Sequence, residues 1–196
     1  VPKVSSPITP RASMHTSNLS ICKDTPSNTQ LSASNDSIIR SEYSNWNFPW
    51  SRNVKKALKQ VFKLSGFRKN QLEAVNATMA GKDVFVLMPT GGGKSLCYQL
   101  PAIISPGVTI VVSPLISLIQ DQIQGLIQRG IGAMTVSSSL SEADKNNAFL
   151  ELTHEFPICK VFYITPEMLM RSNKFQNVLE ILLRKNRLSR FVVDEA

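Results

Sequence analysis

The stretch from Asp83 to Gln99, DVFVLMPTGGGKSLCYQ, constrains the fold more than any other part of the chain. The apolar run Val84, Phe85, Val86, Leu87, Met88 reads as a buried strand. It runs straight into Pro89-Thr90-Gly91-Gly92-Gly93-Lys94-Ser95, and the residues that follow can continue as a helix. Strand, glycine-rich turn and a helix opening on Lys-Ser is the physical form of a phosphate-binding loop. Consecutive glycines let several backbone N–H groups converge on an anion, and the helix adds its positive end. Lys94 can then reach the outer phosphates of a nucleotide, and the Ser95 hydroxyl can ligate an accompanying magnesium ion. The strict pattern asks for glycine where this chain has Met88. The competing reading is a glycine-rich surface turn before an ordinary helix.

Downstream the chain alternates regularly. Strands are expected at 108–112, 133–136, 160–164 and 191–193. Helices are expected at 115–129, 139–152, 168–170 and 175–183. Connections of this length imply a parallel sheet covered on both faces, with ligands beyond the carboxyl ends of the strands. The phosphate loop, Ser113-Pro114, Thr165-Pro166 and Asp194-Glu195 then share one rim. Asp194 after an apolar strand can position a magnesium ion, and Glu195 can accept the proton of an attacking water. The plainer alternative is a strand-end acidic pair making surface hydrogen bonds.

Upstream, a helix from residue 52 carries Val54, Leu58, Val61 and Phe62 on one face and Lys55, Lys56 and Lys59 on the other. A second helical pattern runs through Leu72, Val75 and Met79, with Gly81 as its stop. Gln71 can read the donor and acceptor edge of adenine, or it is simply a solvated helix residue. Tyr43, Trp46, Phe48, Pro49 and Trp50 form an aromatic cluster that either packs the incoming chain on the domain or stacks on bases.

Ser, Thr, Asn and Pro supply 25 of the first 50 residues. Such a segment buries too little apolar surface to offset its ordering entropy, so 1–42 is expected to be a disordered tail and 43–196 the domain. Against 14 acidic residues stand 22 Lys and Arg, a net charge of +8. That balance favours a polyanionic partner, without separating nucleic acid from a membrane surface. Cys22, Cys97 and Cys159 are too scattered for a zinc site or a disulfide framework. With no long apolar run, the expectation is a soluble intracellular protein.

From about Asn47 onward the sequence resembles the first RecA-like lobe of a RecQ-family DNA helicase, most similar to the Bloom-syndrome type and its fungal counterparts. Phe67-Arg68-x-x-Gln71 is similar to motif 0, Met88 to Pro101 (MPTGGGKSLCYQLP) to motif I, and Ser113-Pro114-Leu115-x-Ser117-Leu118-x-x-Asp121-Gln122 to motif Ia. Thr165-Pro166-Glu167 resembles motif Ib, and Phe191 to Ala196 resembles the start of motif II. The resemblance implies an α/β, RecA-like P-loop domain with a mostly parallel sheet. It implies that Arg68 and Gln71 hold adenine, with Leu64 where some relatives place an aromatic ring. Thr90, Gly91, Gly92, Gly93, Lys94 and Ser95 would bind ATP, with Mg²⁺ on Ser95 and Asp194. Lys94 and Glu195 would be catalytic, and Ser113, Pro114, Thr165 and Pro166 would meet single-stranded or forked DNA. The implied activity is ATP-driven 3′-to-5′ unwinding in nuclear recombination and repair. A second lobe is implied too, so the 196 residues alone are expected to be inactive. The alternative is a non-catalytic nucleotide- or DNA-binding module acting through its basic surface.

Overall fold

In a computed structural model, residues 42–137 and 140–195 are described. The expected tail over 1–42 therefore lies almost wholly outside the described residues, as does Ser139. The elements run α1 (Ser51–Gln60), α2 (Gln71–Met79), α3 (Lys94–Ile104), β1 (Val108–Val112), α4 (Ile116–Gln128), β2 (Gly132–Thr135), α5 (Glu142–Thr153), β3 (Cys159–Ile164), α6 (Pro166–Arg171), α7 (Asn173–Arg184) and β4 (Leu188–Val193). The four strands form one parallel sheet in the order β2-β3-β1-β4.

Period-two alternation sorts the sheet's side chains between two cores. Val108, Ile110 and Val112 of β1, with Phe162 and Ile164 of β3, face α5 and α7 through Phe149, Leu152, Phe175, Val178 and Leu182. Phe162 stacks on Phe175 with centroids 5.9 Å apart. On the other face Val111, Val161 and Tyr163 meet Tyr98 and Ala102 of α3 and Ile119 and Leu126 of α4. Each fully buried aromatic or branched side chain stabilises the fold by about 1.5–3 kcal/mol relative to exposure. Helices thus cover both faces, as the alternation implies.

Side-chain caps set helix starts that hydrophobic pattern misses. Ser141 Oγ accepts from Asp144 N–H at 3.1 Å, Thr165 Oγ from Met168 N–H at 3.3 Å, and Ser172 Oγ from Phe175 N–H at 3.2 Å. Each satisfies an otherwise orphaned first-turn amide. Hence α6 opens at Pro166 and α7 at Asn173, two residues earlier than their apolar residues suggest. β4 also begins earlier, at Leu188, because its pairing to β1 includes Leu188 and Arg190, with a register shift at Ser189 between them.

A third core joins α1, α2 and α3 through Val54, Leu58, Val75, Leu96 and Leu100. The aromatic cluster lies against it. Tyr43, Phe48 and Trp50 stack in series at 5.9 and 5.0 Å, and Trp46 stacks on Phe67 at 5.8 Å. Asn76, fully buried, clamps this segment. Its amide donates to the carbonyls of Tyr43 and Asn45, and its oxygen accepts from Trp50 Nε1. These rings pack the incoming chain.

One expectation fails. Val84 to Met88 form no strand; Phe85 is 82% exposed and Leu87 79%. A strand needs a neighbouring backbone for its N–H and C=O groups. Among the described residues none pairs with this segment, which instead lines an open groove of about 700 Å³ beside α2. The outer edge of β4 is likewise unpaired, with Val193 64% exposed.

Candidate functional site

Parallel register brings three strand ends level. Val112 is aligned with Ile164 on one side and Val193 on the other. Ser113, Thr165 and Asp194 each follow one of these residues, so all three emerge at the same carboxyl rim. Backbone bonds pin the turn residues there: Ser113 N–H donates to Ile164 O at 2.9 Å, and Asp194 N–H to Val112 O at 2.8 Å.

The phosphate loop reaches this rim. Lys94 Nζ lies 3.4 Å from Glu195 Oε1, with both side chains partly exposed. Residues about 100 apart in sequence therefore share one site. The loop is a tight turn, closed by Gly92 N–H to Pro89 O at 2.9 Å. Gly93, at φ +88°, ends it and caps α3 without a side chain. That left-handed conformation suits glycine, and a Cβ here would also meet Gln71 Nε2 at 2.4 Å. Among the described residues the amides of Lys94 and Ser95 have no backbone acceptor, as expected for the open N-terminus of a helix. Free amides and a positive helix end suit phosphate oxygens. The hydroxyl of Ser95 and the carboxylate of Asp194 are hard oxygen ligands, the kind Mg²⁺ takes. The residues present fit both groups.

Arg68 and Gln71 lie against the loop. Gln71 is buried; its Oε1 accepts from Arg68 N–H at 2.7 Å and its Nε2 donates to Gly93 O at 3.1 Å. The Arg68 guanidinium donates to Gly91 O. Gln71 is thus not a solvated helix residue but part of the loop's support. Leu64 is 41% exposed nearby in sequence.

On the rim, Ser113 is buried and its hydroxyl has no partner, whereas 114–117 are exposed. The Thr165 hydroxyl caps α6, and Pro166 is half-buried as that helix's first residue. With the Ser113 N–H bonded to Ile164 O and no N–H on either proline, the donors open to a partner beside these turns are the exposed first-turn amides of α4 at Ile116 and Ser117.

Pattern reading missed the polar network beneath the site. Tyr98 O–H donates to Asp194 Oδ2 at 3.0 Å and lies 3.4 Å from Tyr163 Oη. Gln99 Nε2 donates to Tyr163 Oη at 3.3 Å and to Gln122 Oε1 at 2.7 Å. Burial pushes both phenols up from their ordinary value; for Tyr98, Tyr163 and Asp194 add to the rise. Both stay protonated. Tyr98 lies three residues after Ser95 on α3, hence on the same helix face, which was the available signal.

A model of the DEAD/DEAH box helicase family matches residues 68–196. The chain belongs to that family. Among curated helicases it is similar to the RecQ-like DNA helicase BLM of Xenopus laevis, at 44% identity over 181 residues, 88% of this chain and 13% of that protein. It is 50% identical to the ATP-dependent helicase SGS1 of Saccharomyces cerevisiae over 153 residues, 76% of this chain and 10% of the relative. With the ATP-dependent DNA helicase Q1 of Rattus norvegicus it shares 49% over 153 residues, covering 78% and 25%. These helicases bear out the RecQ resemblance, and the four parallel strands with helices on both faces are the RecA-like architecture expected of them. The chain spans between a tenth and a quarter of their length. No described helix is long and apolar enough to cross a membrane.

Proposed function

We propose that the chain is the first nucleotide-binding lobe of an ATP-dependent RecQ-type DNA helicase, translocating 3′ to 5′ on single-stranded and forked DNA in nuclear recombination and repair. The observation that carries the reading is the approach of Lys94 to Glu195, which sets a phosphate loop against a strand-end carboxylate pair. Bound ATP would supply the free energy, and Mg²⁺ would offset charge on its phosphates.

The protein's own part follows from the geometry. Amides at the start of α3 would hold phosphate oxygens, and Ser95 and Asp194 would hold the cation. Lys94 exchanges Glu195 for the outer phosphates. Glu195, so released, accepts the proton of the attacking water. Arg68 and Gln71 exchange the carbonyls of Gly91 and Gly93 for the adenine ring. Beside the Ser113-Pro114 and Thr165-Pro166 turns, the open first-turn amides of α4 at Ile116 and Ser117 would donate to DNA phosphates, a grip that reads no sequence. The basic surplus of the chain supports that partner.

The test uses the full-length protein. DNA-stimulated ATP hydrolysis and unwinding of a duplex with a 3′ single-stranded tail should both be present. Lys94→Ala should lower hydrolysis by at least about 100-fold, with circular dichroism unchanged. Retained hydrolysis in a folded Lys94→Ala protein would refute the assignment of the loop.

A further inference from the structure

The chain of polar groups behind Asp194 has a defined direction. A carboxylate only accepts, and the Gln99 amide nitrogen only donates. With both phenols protonated, one ordering satisfies every contact: Gln99 donates to Tyr163, Tyr163 to Tyr98, and Tyr98 to Asp194. Tyr98, Gln99, Tyr163 and Asp194 are all buried, so water offers no easy substitute for a lost link. Asp194 Oδ2 is held back by the phenol, which leaves the other carboxylate oxygen for a cation. Ser95 lies one turn earlier on α3, on the same helix face as this phenol. At the far end, Gln99 ties to Gln122 on α4, the helix that follows the Ser113-Pro114 turn.

We propose that Tyr98 is a positioning residue for the cation site: its phenol fixes the Asp194 carboxylate, braced through Tyr163, Gln99 and Gln122 by the helix behind the DNA-facing rim. This rests on the reading of Ser95 and Asp194 as the Mg²⁺ pair. The role differs from simple core packing because it acts on cation affinity, and a phenylalanine keeps the ring and its packing. Groups behind metal ligands typically change metal affinity by 10–100-fold when removed.

The experiment uses the full-length helicase, with N-methylanthraniloyl-ADP as fluorescent probe and MgCl₂ as titrant. Tyr98→Phe should raise the Mg²⁺ concentration for half-maximal enhancement of probe binding about tenfold, while probe affinity in EDTA is unchanged. Tyr163→Phe, which removes only the brace, should shift it in the same direction by a smaller factor. It also serves if Tyr98→Phe does not fold. Unchanged Mg²⁺ dependence in both variants, with the enhancement lost in Asp194→Asn, overturns the inference and leaves the site intact. Enhancement retained in Asp194→Asn overturns the cation site itself. An equal fall in probe affinity with and without Mg²⁺ shows a merely structural role and also overturns the inference.

Discussion

Replacing Asn76 by Ala should unlock the segment that precedes the domain. The side chain is fully buried and makes three hydrogen bonds, to Tyr43 O at 2.8 Å, Asn45 O at 2.9 Å and Trp50 Nε1 at 3.0 Å. Alanine leaves one donor and two acceptors without partners. The Tyr43 carbonyl is the deepest and costs about 1–3 kcal/mol; the other two are half-buried and cost about 0.5–1.5 kcal/mol each. The total is roughly 2–6 kcal/mol, equivalent to a melting-point drop of roughly 4–24 °C for a domain of this size. The chain contains two tryptophans, Trp46 and Trp50, and both lie in the clamped segment. Intrinsic fluorescence therefore reports the affected region directly. A urea titration of the variant should show an earlier midpoint and red-shifted native emission. Trp50→Phe, which keeps the ring stack but removes one donor, should cost about 1 kcal/mol. A loss below about 1 kcal/mol for Asn76→Ala, with native emission unchanged, would refute the clamp.

Gly107 precedes β1 at φ +82°, and a Cβ there would fall 2.3 Å from the Arg187 carbonyl oxygen, a backbone atom that cannot swing aside. Gly107→Ala should cost more than about 2 kcal/mol in thermal denaturation; a neutral variant would contradict the close approach of β1 and β4. Burial pushes the Cys97 thiol up to about 11 and the Cys159 thiol to about 12. Both should resist alkylation at pH 8 in the native state and react on unfolding, as followed by peptide mass mapping. The sign for stability follows. Neutral thiols are favoured by the fold, so their contribution is intact below pH 9, the ordinary thiol value, and is lost as pH rises towards 11–12.

Much of the architecture was legible because it rests on period and punctuation. A β-branched run marked β1 and a mixed branched and aromatic run marked β3, and alternation with helices implied parallel order and one functional rim. The segment 84–88 shows where that logic stops. Five apolar residues before a glycine loop have the composition of a buried strand, yet a strand exists only with a partner, and pairing is not a local property. The rim residues were legible as turn chemistry after apolar runs, but their state was not. Nothing in a linear pattern says that Ser113 points inward, that the Thr165 hydroxyl is used as a cap, or that Gln71 props the phosphate loop. Asn76 gave no signal at all, because an asparagine inside a helical pattern reads as surface until its long-range partners are known.

We propose that the loop and the strand-end carboxylates form one hydrolytic site. The most direct test is a paired measurement of ATP binding and DNA-stimulated ATP hydrolysis by the full-length protein carrying Glu195→Gln. Glutamine keeps the shape at this position but cannot take a proton from water. ATP affinity should stay within a few-fold of the parent, and hydrolysis should fall by about 10²–10⁴-fold. Hydrolysis close to the parent rate, with binding intact, would contradict the proposal.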